Sequence, residues 1–113
     1  MLKEDIEREL KIKKVPEEEI ELAKSDVEVF ENALKKIETA KNNNKKPPEK
    51  SKNRLKCFWE DLSDEKSSLY KSLKLLRKGK DYGVKIAEAY NKIAKNTGMP
   101  SVPPLALDVI NKL

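Results

Sequence analysis

The sequence predicts an all-α protein, a small irregular bundle of four to five helices with one long helix near residues 63–97. Three observations carry this expectation. Lys, Glu, Leu and Ala dominate a chain of 113 residues that contains only 3 Gly, a composition that favours helix over sheet. Apolar residues recur three and four apart in each apolar segment, the spacing of one helical face. Start and stop signals bracket the most legible of these segments. With 40% charged and 37% hydrophobic residues, residues 1–113 read as one domain with a modest core.

Leu2, Ile6 and Leu10 repeat at four-residue spacing, so residues 2–14 are expected to form a short amphipathic helix that needs a packing partner. Val15-Pro16 marks a boundary, because a residue before Pro avoids the helical region. Pro16 suits the first turn of the next helix, and Glu17, Glu18 and Glu19 suit its positive end. From Pro16 to about Lys41, the residues Ile20, Ala23, Val27, Phe30, Leu34 and Ile37 alternate three and four apart. Such a coiled-coil-like seam either packs inside a bundle, the favoured reading, or meets a second chain.

Residues 41–53, KNNNKKPPEKSKN, contain no apolar side chain apart from their prolines and read as a flexible basic linker. Leu55, Phe58, Trp59 and Leu62 then form a compact helical stripe that holds the only Trp. Ser63 followed by Asp64 and Glu65 reads as a helix start. The stripe nevertheless stays in phase with Leu69, Leu73 and Leu76, so a continuous helix through Ser63 is also open. Gly79 and Gly83 each cost about 1 kcal/mol in a helix interior, but the apolar faces on both sides of them stay in register, and the helix is expected to continue. Asn96-Thr97-Gly98-Met99-Pro100 is its stop. Residues 99–104 form a Pro-rich connector, and Pro104 can open a final short helix bearing Leu105, Leu107, Val109, Ile110 and Leu113. The 16–41 and 63–98 helices are expected to pack antiparallel as the spine.

Nothing in the chain amounts to a catalytic signature. It contains no His, which removes the commonest general base and metal ligand. Cys57 is the only cysteine; it lacks a base to activate it, excludes an intrachain disulfide, and fits a reducing, intracellular setting. The acidic runs lack calcium-loop spacing, and no Gly-rich phosphate loop is present. The charged N-terminus has no apolar core of a signal peptide, and no run approaches the roughly 20 apolar residues of a membrane span. No enzyme activity, cofactor or metal is therefore expected. Leu76–Tyr82 with Ala89–Ile93 resembles helices of BAR-type membrane-curving domains only in helical periodicity, and no family follows.

The function expected is a non-enzymatic protein-interaction module, a small adaptor or a subunit of a larger assembly, with another protein as partner. An apolar groove built from Phe30, Phe58, Trp59, Leu107, Ile110 and Leu113 would make the contact. The alternative is a basic nucleic-acid-binding protein, since net charge is +5. Phosphate or acidic groups would then meet Lys45, Lys46, Lys50, Lys52 and Arg54 in and beside the linker, and Lys74, Arg77, Lys78 and Lys85 on the long helix. Peripheral binding to anionic membrane ranks below both.

Overall fold

The computed structural model describes residues 2–76 and 79–113, with the side chains of Leu2 and Lys3 left aside. Among these residues the fold is all-helical. Six helices are present: α1 (Leu2–Ile12), α2 (Glu17–Asn42), α3 (Glu49–Ser63), α4 (Ser68–Leu75), α5 (Gly79–Thr97) and α6 (Pro104–Lys112). This exceeds the four or five expected because the segment read as one long helix is divided in two.

The division has a local cause. Leu76 is extended, with φ −74° and ψ 138°, and caps the end of α4. A Cβ on Gly79 would lie 2.1 Å from the Leu73 carbonyl oxygen. The backbone of α5 thus begins so close to the end of α4 that only a residue without a side chain fits. In-phase apolar faces on both sides of a Gly do not reveal that approach. The start signal assigned to Ser63 also belongs elsewhere. Ser63 is the last residue of α3, Asp64 Oδ1 accepts a hydrogen bond from the Lys66 amide at 2.9 Å in a local turn, and Ser67 Oγ caps α4 by accepting from the Tyr70 amide at 3.1 Å.

Three helices end through the same device, a left-handed residue followed by an amide that reaches back five residues. Lys14 (φ 58°), Asn44 (φ 57°) and Gly98 (φ 73°) take the left-handed position. The amides of Val15, Lys45 and Met99 donate to the carbonyls of Leu10, Ala40 and Ala94 at 3.2, 2.8 and 3.1 Å. The second of these stops lets α2 run to Asn42, while Pro48 caps α3. The linker expected over 41–53 is therefore confined to residues 43–48.

The seam on α2 is internal: Ile20, Ala23, Val27, Phe30, Leu34 and Ile37 are all buried, as is Ala33. At 1.5 Å per residue this 26-residue helix is about 39 Å long, and it fits a molecule of 45 × 24 × 20 Å only along the longest dimension. It packs against α1, α3, α4 and α5, and α6 closes over α3 and α5. The buried side chains form one connected core. Its centre is aromatic: Phe30 of α2 stacks on Phe58 of α3 with ring centroids 4.3 Å apart, and Trp59 meets both edge-on. The carboxylate of Glu7 joins α1 to α2 by accepting from Lys11 Nζ and Lys24 Nζ, each at 3.1 Å. Those two ammonium groups hold it below the usual carboxylate range.

Candidate functional site

The Pro-rich connector is pinned along α5. The Tyr90 hydroxyl donates to the Pro100 carbonyl at 2.8 Å, and the Val102 amide donates to Asn91 Oδ1 at 3.3 Å. Val102, within the connector, is buried. Burial pushes the Tyr90 phenol up from its ordinary pKa, so it remains a donor across the physiological range. Held this way, the connector leaves a hollow on each side of Trp59. One, of about 390 Å³, lies between α3 and the start of α6 and is walled by Trp59, Pro103 and Leu105, with Lys56, Glu60, Ser63 and Asp64 at its rim. The other, of about 350 Å³, is bounded by Leu55, Trp59, Tyr90, Met99, Pro100 and Pro103, with Lys52 and Lys56 along one side. Trp59 Nε1 is buried and has no hydrogen-bond partner among the described residues.

The apolar residues expected to meet a partner divide between core and surface. Phe30, Phe58, Trp59 and Ile110 are at most 4% exposed. Trp59 lines both hollows but is otherwise enclosed. Leu113 is half-buried against the core. Leu107 is 40% exposed, but it projects from the flank of α6 opposite Leu105, with Ala106 and Ile110 buried between them. The most exposed apolar side chain beside a hollow is Leu105, at 65%.

The expected phosphate contacts are likewise brought only partly together. Lys45 and Arg54 line a groove of about 510 Å³ where the end of α2 passes the linker and α3. Lys46 and Lys50 are exposed but do not line it. Lys52 faces the Trp59 hollow and pairs with Glu49 at 3.6 Å. Lys74 lies over the Tyr70 ring at 5.8 Å. Lys85 lies over Tyr82 at 5.9 Å, in a hollow that also holds Asp5, Asp81 and Glu88. Arg77 and Lys78 fall outside the described residues.

Among the described residues no three His, Cys, Asp or Glu side chains gather as a metal site, and Cys57 is exposed. No helix there is long and apolar enough to cross a membrane. Comparison with protein-family models, curated proteins and solved structures finds no match.

Sequence reasoning passed over two sets of residues. In sequence Pro103 belongs to the connector and Leu105 to the apolar final helix, and nothing in their spacing says which face of α6 turns outward. Asn32, Lys35, Lys36 and Thr39 on α2, with Asn43 at its C-cap, form a polar stripe, and all but Lys35 share the three- and four-residue spacing of the buried seam. That spacing is visible in the sequence, but it looks like an ordinary solvated back until the linker and α3 fold over its end.

Proposed function

We propose that the chain is a non-enzymatic protein-interaction module, an adaptor or assembly subunit, that takes an apolar segment of another protein between α3 and the start of α6. The observation that supports this most is the hollow beside Trp59 and Pro103, whose mouth carries Leu105 at 65% exposure. A Trp edge, a Pro ring and a Leu side chain form a surface that gains from being covered. The charged rim of Lys56, Glu60 and Asp64 would fix the register of the incoming segment. The absence of His from the sequence supports the non-enzymatic part of the reading. Peripheral membrane binding has less support, because exposed Ile12, Leu22, Leu75 and Leu105 sit on four different helices.

The test is a photo-reactive amino acid placed at Leu105 and, as a control, at Leu75, which is 51% exposed and away from the hollow. In the native cell, irradiation is expected to give a discrete cross-linked protein from position 105 and not from position 75. Equal, diffuse cross-linking from both positions would remove the proposal.

A further inference from the structure

The excess positive charge of this protein is concentrated rather than spread. Between Lys35 and Lys56 lie nine of the 25 cations and two of the 20 acids. That stretch carries +7, and the rest of the chain carries −2. The first 31 residues hold six cations against eleven acids, a charge of −5. Because α2 runs the length of the molecule and α1 is tied to its first half through Glu7 and Lys24, the acidic and basic regions occupy opposite ends. A field so arranged turns the basic end towards a polyanion before contact.

At that basic end is the groove lined by Lys35, Lys36, Lys45 and Arg54, with Asn32, Thr39 and Asn43 as neutral hydrogen-bonding groups. No carboxylate lines it. Among the described residues, none of the four cations makes an ion pair. They come from three segments: two from α2, one from the linker and one from α3. The fold thus gathers them from positions up to 19 residues apart.

We propose that this groove binds the phosphate backbone of duplex nucleic acid, without reading its bases. Two features choose the duplex. Phosphates supply repeated negative charge along a line, which a groove carrying four cations neutralises with release of counterions. Single strands are usually held by bases stacked on exposed aromatic rings, and here Phe30, Phe58, Trp59, Tyr82 and Tyr90 are buried, Tyr70 is half-buried, and none lines the groove. An anionic membrane would also meet the charge, but such surfaces favour bulky apolar side chains beside it. The groove offers only Val29, Ala40 and Pro48. This inference does not depend on the hollow beside Trp59, which shares no lining residue with the groove.

Fluorescence anisotropy of the full chain with a labelled 20-base-pair duplex tests it, alongside a single strand of equal length and vesicles containing phosphatidylserine. Binding to the duplex should weaken with salt, with a log–log slope of about −3.6 for four phosphate contacts. Replacing Lys35, Lys36 and Arg54 together by Ala should weaken it about tenfold or more and flatten that slope to about −1. Lys74→Ala with Lys85→Ala, cations outside the groove, should leave it nearly unchanged. All five side chains are exposed, and unchanged melting of both variants would confirm that folding is not being measured. The proposal is overturned by absence of duplex binding at about 50 mM salt, where such contacts are strong. It is also overturned if the control pair weakens binding as much as the groove triple, if the single strand binds tighter than the duplex, or if only vesicles bind through the groove.

Discussion

Trp59 and Tyr90 meet edge to face, with ring centroids 5.3 Å apart and planes at 87°. The same Tyr90 donates its hydroxyl to the Pro100 carbonyl, so one side chain ties α3, α5 and the connector together. Tyr90→Phe keeps the ring contact and removes only the hydrogen bond. It should lower stability by about 0.5–1.5 kcal/mol. The Trp59 emission maximum should stay where it is, because the indole remains enclosed. Hydrogen exchange should quicken at Val102, the connector amide that donates to Asn91. A red-shifted indole would show instead that the hydroxyl holds the aromatic cluster shut.

Gly79 sets two effects against each other. Ala is the better helix former by about 1 kcal/mol, but its Cβ would fall 2.1 Å from the Leu73 carbonyl oxygen. Backbone cannot yield as a side-chain tip can, so the clash should win. Gly79→Ala is expected to destabilise by about 1–3 kcal/mol, within the range for overpacking. At Gly98 the added Cβ would meet nothing within 4 Å, and only the left-handed φ of 73° opposes Ala. The expected loss there is about 1–2 kcal/mol. Urea unfolding of both variants gives the comparison, and a stabilised Gly79→Ala would mean that α4 and α5 are not so close.

Asp26 provides the pH dependence. Burial first, and then the charge of Asp61, raise its carboxyl above the ordinary value. A carboxyl whose folded pKa lies above its unfolded pKa keeps its proton longer in the folded state. Ionised Asp26 therefore lowers stability at pH values above the folded pKa, and the loss disappears as pH falls through that value towards the unfolded one. Asp26→Asn is expected to raise Tm at neutral pH and to melt like the parent in mild acid. A gain that persists unchanged below pH values of about 4, near the ordinary carboxyl range, would assign the effect to something other than titration.

Much of this architecture is written in local spacing. The seam from Ile20 to Ile37 and the stripe Leu55, Phe58, Trp59 and Leu62 are periodic because each faces one core, and all of them are buried. The stop at Gly98 and the start at Pro104 are legible because Gly and Pro act through their own backbones. What the spacing could not show depends on contact between distant segments. The break at Leu76 comes from how closely Gly79 approaches Leu73. The capping of α4 by Ser67 rather than Ser63 follows from a turn built on Asp64. The basic groove exists only once Lys45 and Arg54 are folded against Lys35 and Lys36. In the sequence only Lys45 and Arg54 stand out, within and beside the basic linker, while Lys35 and Lys36 carry no signal of their own.

The account turns on the aromatic cluster being interior, with contacts made by the surfaces around it. Phe30 is 1% exposed and touches both Phe58 and Trp59. The direct measurement is thermal melting of Phe30→Ala beside the parent at two protein concentrations. Removing a ring from a closed core costs about 3–5 kcal/mol, and 1 kcal/mol moves Tm by roughly 4–8 °C in a chain near this size. Phe30→Ala should therefore melt at least about 10 °C below the parent, by the same amount at both concentrations. A variant that melts like the parent, or a parent whose own Tm rises with concentration, would place the cluster at an interface and contradict the account.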